Sequence, residues 1–485
     1  MNWWILKRKM YVSWQIAVIC GGVFIGVFLA QYLKVSSVLM TVGLAVSVLC
    51  VTFAVWWRFL YLIPLLIVGG ILLGLWRGSL SQAELTQLHR LYGHIVVPEG
   101  TVKEDVDVGA SGQSIIRLDN LIIEDENING VLWATTADDQ DIKRGDKLVV
   151  KGELSEGFGS FAATMYRADI IKVIHPVPGD VARVIRDWFA DSVRQAVPEP
   201  QASLGIGYLV GQRRSLPADL SMALQIAGLT HIVVASGYNL TILVRLAKRL
   251  FEKVSKYMSA LSASAMIVIF IAITGVSPSM SRAGLVAGLS LAAWYYGRRF
   301  HPVALLSFAV AVTVLINPSY AWGDLGWQLS FAAFAGVMIV APLLQRYFFG
   351  EKKPGLIKQI LGETISAQLA TAPILIAAFG QLSNVAIVAN LLILPLVPLA
   401  MLLTLMSGIG SLLVPMAAEI IGMPATWLLQ YMVSVAEHMA SLPWAVGTFD
   451  LSAIGVILCY AGLVAFCFYL RRATGFNLRE VNIVE

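Results

Sequence analysis

Apolar runs of about 20 residues recur along this chain, the length a helix needs to cross roughly 30 Å of hydrocarbon. Three come early, near Val12–Leu33, Ser36–Val55 and Phe59–Trp76. Nine follow after an interval, near Thr230–Ala247, Ala260–Val276, Ser281–Gly297, Pro302–Ile316, Gly326–Gln345, Thr364–Gly380, Asn384–Leu412, Ala417–Leu442 and Leu451–Leu470. Hydrocarbon offers no water to unpaired N–H and C=O groups, so such runs are confined to helices that satisfy their own backbone. Composition agrees: 58% of residues are hydrophobic, 13% are charged and the mean hydropathy is +0.75, outside the range of soluble domains. The expected fold class is a polytopic α-helical membrane protein of about twelve spans. Two runs are irregular. Pro302–Ile316 is short, and Pro395 and Pro398 divide Asn384–Leu412 into two pieces or a re-entrant loop.

Cation placement sets the orientation. Lys7, Arg8, Lys9 and Arg58 fall on one side, and Arg245 to Lys256, Arg298-Arg299, Arg346 to Lys358 and Arg471-Arg472 fall on the same side. The positive-inside rule makes that side cytoplasmic and puts both termini there. The first run is longer than a signal-peptide core, lacks a small-residue cleavage site and leads into more apolar sequence, so it reads as a retained helix. Cys20, Cys50, Cys459 and Cys467 lie in apolar runs and read as small core hydrophobes, not as a disulfide framework or a metal site.

Ser79–Asp180 belongs to a different solvent. Its segments SIIRLDNLII, GVLWATT, DKLVVKGEL and ATMYRADIIKVI show alternating or short apolar strand patterns bounded by Gly, Asn and Asp. They predict an inserted small β-barrel of OB type, extracytoplasmic because three spans precede it. Such barrels bind single-stranded nucleic acid through a basic groove and stacking rings. From Glu99 to Asp180, however, there are sixteen acidic and eight basic residues, the wrong sign for a general phosphate-binding surface. Lys143, Arg144, Lys147 and Lys151 form a local basic patch, with Trp133, Phe158, Phe161 and Tyr166 as candidate stacking rings. The competing reading makes these solvated faces and core aromatics.

Residues 181–200 predict an amphipathic helix and linker, with Val181, Val184, Ile185, Trp188, Phe189 and Val193 opposite Arg186, Asp187 and Gln195. The helix suits the outer membrane surface or a packed connector. Beyond it, Gln212-Arg213-Arg214 puts two adjacent cations outside, against the positive-inside trend, so Arg213 and Arg214 call for a partner or an anionic ligand. The domain order is then 1–78, a three-helix membrane segment; 79–180, the barrel; 181–200, the interfacial helix; and 201–485, a membrane module.

That module is organised around GLTHIVVASGYNLTILVRLAKRL, Gly228 to Leu250. It is apolar enough to enter a membrane yet carries His231, Ser236, Gly237 and Asn239 in its middle. Each polar group left unpaired in hydrocarbon costs several kcal/mol, so the cluster faces protein or a water-filled path. Ser236-Gly237 is also placed to break the helix, as happens where backbone lines a cavity. The alternative is a small-residue helix contact with Ser and Asn as interhelical glue.

Five blocks then follow in order: QRRSLP; GLTHIVVASGYNLTI; SPSMSRAGLVAG with GRRFHP; NPSYAWGDLGWQLSFAAFAG; and AQLATAPILIAAFGQLSNVAIVANLLILPLVP. Together they resemble the competence module of the ComEC family, the DNA-uptake channel proteins of natural transformation, and an outer OB-like domain after three helices fits that family's amino-terminal region. The resemblance implies a channel for single-stranded DNA in the bacterial cytoplasmic membrane. It implies as partners the DNA strand, the lipid bilayer, a separate nuclease, a DNA-receptor protein and a cytoplasmic ATPase or helicase. Two departures stand out. The family's metallo-β-lactamase-like domain needs an HxHxDH cluster that this chain does not hold, so no enzyme activity, metal or cofactor is expected of it. Where the family has Ser-Gly-Leu-His, this chain has Ser236-Gly237-Tyr238-Asn239, and Asn does not titrate near neutral pH.

A polyanion needs donors and cations along its path, none holding too tightly. Arg282, opening an otherwise apolar span, is the leading candidate; the bland alternatives are pairing with Asp324 or snorkelling to an interfacial phosphate. His231, Ser236, Asn239, Asp324, Gln328, Gln368 and Asn390 complete the candidate lining, against a reading as interhelical hydrogen bonds. Trp322, Trp327 and Trp444 are expected in an aromatic belt at the outer surface. No GxxxxGK[ST] loop is present, so the energy source lies elsewhere. Two rival functions remain open: a secondary transporter or lipid-handling membrane protein, and a scaffold recruiting partners through its outer domain.

Overall fold

The computed structural model describes residues 9–33, 37–108, 113–123, 126–137, 141–177, 179–212, 216–233, 236–275, 277–298, 301–352 and 354–477. The chain forms two compact units, Met1–Val181 with Val303–Gln328, and Ala182–Pro302 with Leu329–Glu485.

The first unit begins with three helices, α1 (Val12–Ala30), α2 (Ser37–Trp57) and α3 (Ile63–His89). Glycines set the closest contact. A Cβ added to Gly22 would lie 2.8 Å from the Ile67 carbonyl and 3.1 Å from the Gly70 Cα, and one added to Gly26 or Gly74 would overlap the facing backbone. Gly22-xxx-Gly26 on α1 therefore meets Gly70-xxx-Gly74 on α3 backbone to backbone, the small-residue packing that holds helices together where lipid removes the hydrophobic drive. The Ser47 hydroxyl adds a bond to the Gly69 carbonyl, 2.6 Å long, between α2 and α3.

At about 1.5 Å per residue, α3 is about 40 Å long, some 10 Å more than hydrocarbon requires. Its last turns carry Leu85 and Leu88 into the core of the β domain, where Leu88 is buried with Leu118, Leu132, Leu148 and Val150. The strands are β1 (Ile95–Val96), β2 (Glu99–Val102), β3 (Asp107–Val108), β4 (Ser114–Ile123), β5 (Glu126–Ile128), β6 (Leu132–Thr136), β7 (Lys147–Glu153), β8 (Ser155–Glu156), β9 (Ala163–Met165) and β10 (Asp169–Ile174). They form a curled sheet. Its pairing runs β1–β7–β2–β4–β6–β9–β8, with β10 on β7 and with β3 and β5 on β4, antiparallel throughout except for the parallel β6–β9 pair. In β4, Ile116 and Leu118 point inward, and then Leu121 and Ile123 do. The one-residue phase change is taken up at Asn120, whose φ of 50° is open to Asn. Asp119 beside it has its pKa raised, mainly because burial disfavours the charged form, with Lys103 acting in the opposite sense.

The second unit opens with α4 (Val181–Ala196), α5 (Gln201–Val210), α6 (Ala218–Ile226), α7 (Thr230–Val233), α8 (Gly237–Glu252), α9 (Lys256–Thr274) and α10 (Pro278–Tyr295). The chain then returns to the first unit with α11 (Pro302–Ile316) and the loop after it. Arg77 on α3 ties this segment down, donating from Nε to the Leu315 carbonyl at 2.8 Å and from Nη2 to the Ile316 carbonyl at 3.0 Å. Helix α12 (Leu325–Ala335) continues through one π turn, Gly336–Val340, into α13 (Ala341–Phe349). Next come α14 (Leu356–Phe379), β11 (Gln381–Ser383), α15 (Ala386–Ile393), α16 (Val397–Leu413), α17 (Ala418–Ala440), β12 (Val446–Thr448) and α18 (Ala453–Thr474). A 3-10 turn at Leu394–Leu396 separates α15 from α16, where Pro395 and Pro398 cannot supply helix donors. Strands β11 and β12 pair antiparallel. One apolar core of this unit gathers Val193, Leu204, Tyr208, Ile232, Ile393, Met401 and Leu429.

Among the described residues, eight helical segments are long and apolar enough to cross a membrane: Val12–Ala30, Leu39–Trp57, Leu60–Ala83, Lys256–Thr274, Leu325–Phe349, Leu356–Phe379, Ala386–Leu413 and Ala453–Thr474. The other expected spans correspond to helices that are shorter or more polar. The run at Thr230 is split into α7 and α8, α10 has 18 residues, α11 has 15, and α17 carries Glu419, Gln430, Glu437 and His438.

Two expectations, for Trp327 and Cys459, need correction. Trp327 is no belt residue: it is 4% exposed, donates from Nε1 to the Thr313 hydroxyl at 3.0 Å and stacks on Phe24. On α4, Val184, Ile185 and Trp188 are exposed, while Arg186 is buried and paired with Asp187 at 2.9 Å. The packed side of this helix brings Phe189 and Val193 against Gly408 and Ala196 against Gly422. Cys459 is exposed on α18, not in a core.

Candidate functional site

The site is built where the polar stretch breaks. Helix α7 ends at Val233, and α8 starts afresh at Gly237 with Ser236 as its cap, the Ser236 hydroxyl accepting from the Asn239 N–H at 3.4 Å. Asn239 is fully buried and donates from Nδ2 to the Ile232 carbonyl at 3.1 Å, joining the end of one helix to the start of the next. Its Oδ1 has no hydrogen-bond partner among the described residues. Gly237 is needed for closeness, since an added Cβ would lie 3.2 Å from the Ala283 Cβ and 3.4 Å from Arg282 Nη2. His231 points away, exposed, with Nδ1 3.1 Å from the Gly228 carbonyl oxygen.

Arg282 lies on α10 against this break and is 8% exposed. Its Nε donates to the Ser330 hydroxyl at 2.7 Å, and that oxygen lies 3.3 Å from the Ser279 hydroxyl. The guanidinium also sits 5.7 Å from the Phe331 ring and 5.4 Å from the Phe334 ring, within cation–π range. No carboxylate pairs with it among the described residues. The expected alternative partner, Asp324, is engaged elsewhere, accepting from the Trp327 N–H at 2.7 Å as a helix cap and from the Ser160 hydroxyl at 3.2 Å. The sequence reading missed Ser330, Phe331 and Phe334. Phe334 lies three residues from Phe331 and four from Ser330 on α12, spacings that put it beside both on the helix surface, which was the available signal.

On α14, Gln368 donates from Nε2 to the Ser383 carbonyl at 3.1 Å, and its Oε1 is buried without a partner. Asn390 on α15 is 5% exposed, and its Oδ1 is likewise unpaired. The Ser383 hydroxyl is a further buried group without a partner. Gln328 is half-buried on α12. Arg213 and Arg214 lie outside the described residues.

In the β domain, the basic patch separates into two kinds of residue. Arg144 is buried and bound to Asp180 at 2.6 Å, and Lys143 is paired with Asp141 at 2.6 Å. Lys147 and Lys151 are exposed on β7. The aromatic residues are not core. Trp133 contacts both Phe158 and Tyr166 edge to face at 5.4 Å, Phe158 contacts Phe161 at 5.2 Å, and Phe158 and Tyr166 are exposed. Arg117, paired with Trp133 across the sheet, is neutralised by Asp107 at 2.8 Å and Glu104 at 3.3 Å.

Residues 208–473 match the family model described as "Competence protein", which is over half of the chain. The chain belongs to the competence protein family. Among its relatives is ComE operon protein 3 of Bacillus subtilis (strain 168), 27% identical over 206 residues, covering 40% of this chain and 25% of the relative. The chain thus spans about a quarter of that protein. No solved structure matches it. The matched competence region contains Ser236, Asn239, Arg282, Ser330, Gln368 and Asn390, and with its apolar helices it makes this a multi-pass cell membrane protein.

Proposed function

We propose that this competence-family protein carries one strand of incoming DNA through the cytoplasmic membrane, through a hydrated passage in the module spanning residues 201–485. The observation that carries the reading is the set of buried amide oxygens on Asn239, Gln368 and Asn390, on three different helices, none with a partner among the described residues. A buried acceptor left unpaired costs about 1–3 kcal/mol. Three in one lipid-spanning unit are sustainable if water or a ligand reaches them. Buried oxygens that accept, in the same unit as a guanidinium without a carboxylate partner among the described residues, suit a strand offering base N–H donors and phosphate charge. They do not suit an acid–base reaction, so the reading assigns this chain transport and no catalysis.

In this reading the four shorter or more polar helices also cross the membrane, giving about twelve spans with both termini cytoplasmic. The curled sheet is an OB-like barrel outside. Its support is the pairing order, in which β6 and β9 are the one parallel pair, β10 pairs with β7, and β7 pairs with β2. A separate nuclease, a DNA receptor and a cytoplasmic motor would complete the pathway. The test is deletion of the gene. Transformation by linear DNA is expected to disappear while DNA still binds the cell surface, and normal delivery to the cytoplasm would refute the reading.

A further inference from the structure

We propose that the start of α8 and the Arg282 guanidinium together form a binding site for a phosphate-class oxyanion. Three sources of positive potential meet there. Arg282 is 92% buried by its 8% exposure, and among the described residues only its Nε has a hydrogen-bond acceptor, Ser330, with no acid in reach to offset the charge. Holding a cation in such surroundings costs several kcal/mol unless it meets an anion or water. The α8 N-terminus adds its helix dipole. Ser236 accepts from the Asn239 N–H and, through its carbonyl, from the Leu240 N–H, leaving the Gly237 and Tyr238 N–H groups as the open donors of that turn. The N-terminus of α10 is the third source, since α8 and α10 pack together at Gly237 and Ala283, with Arg282 in the second turn of α10.

Like-signed groups repel, so this convergence needs an anion between them. The rings of Phe331 and Phe334 approach the guanidinium, and Ser330 occupies its Nε, which leaves the Nη groups for the ligand. A tetrahedral oxyanion can take those donors through one or two oxygens, as Arg binds phosphate elsewhere. Gly237 keeps the space free, because a methyl there would stand 3.4 Å from Nη2. The site rests on the transport reading only for its natural ligand, which that reading makes the phosphodiester of the passing strand. A lipid headgroup offers the same chemistry.

The full chain in phosphatidylcholine nanodiscs tests the site directly. Inorganic phosphate is expected to raise the thermal unfolding temperature and to compete with a fluorescent dT oligomer. Arg282→Gln is expected to weaken both effects at least tenfold, and Gly237→Ala at least fivefold. The glycine variant serves where the charge-neutral one does not fold. An unchanged phosphate response in either folded variant overturns the proposal. In nanodiscs containing phosphatidylglycerol, loss of the phosphate effect in the wild type alone identifies the headgroup as resident anion and supports the site. The phosphate arm contains no DNA, so it reads the site whether or not deletion of the gene abolishes transformation, and the deletion reads the passage whether or not the site exists.

Discussion

The Arg282 side chain is anchored by the Ser330 hydroxyl, 2.7 Å from its Nε, and not by an acid. A neutral partner fixes the guanidinium in place without cancelling its charge. That arrangement is expensive as architecture and useful as a contact for a polyanion.

Arg282→Ala should therefore leave protein abundance in the membrane near normal and lower transformation at least tenfold, the effect of losing a charge-assisted contact of about 1.5–3 kcal/mol. Immunoblotting beside transformation frequency separates the outcomes. Loss of folded protein would make Arg282 a packing residue.

Gly26→Val should be far more damaging to folding than to any chemistry, because its side chain would overlap the α3 backbone at Ile71. Overpacking costs about 1–3 kcal/mol where neighbours can shift, and here the neighbour is main chain. Reduced detergent-resistant protein at wild-type transcript level is the expected reading. Normal yield would mean the two helices pack otherwise.

In the β domain, Arg144 and Lys147 should part company. Arg144→Ala removes the buried cation that binds the Asp180 carboxylate, and breaking a buried pair costs about 3 kcal/mol, so the melting temperature should fall. Lys147→Ala should leave it unchanged, because that side chain is solvated. Equal effects would contradict the placement of the two residues.

Asp119 gives the pH dependence. Its pKa is raised by burial, so the folded domain prefers the protonated acid. Stability is therefore lowered above the raised pKa, and this penalty is relieved as pH falls through that value toward the ordinary carboxylate range. Asp119→Asn should raise the unfolding temperature at neutral pH and flatten its rise on mild acidification. A variant less stable at neutral pH would show that the charged form is the favoured one.

What could be read from the sequence follows from which forces are local. Apolar length disclosed the membrane helices, the alternation in SIIRLDNLII disclosed β4, and Ser236-Gly237 disclosed the break between α7 and α8, because helix capping needs only neighbouring residues. The amides at Asn239, Gln368 and Asn390 were likewise visible as polar groups in apolar runs. The burial of Arg186 on α4 was not visible, because the packing of Phe189, Val193 and Ala196 on Gly408 and Gly422 depends on residues distant in sequence. Ring placement around Trp133 was hidden for a similar reason: alternation says that a strand has two faces but not which one meets solvent. The Gly22 and Gly70 pairing was legible as a spacing and was overlooked.

The central claim is that water and a charged strand reach the interior of the membrane module. It is tested most directly by thiol accessibility in full-length protein whose four native cysteines are replaced. A membrane-impermeant thiol reagent should modify Gln368→Cys and Asn390→Cys, and a dT oligomer should slow that modification, while Leu458→Cys on the exposed apolar face of α18 stays unreactive. Modification at positions 368 and 390 no faster than at 458, with or without DNA, would contradict the account.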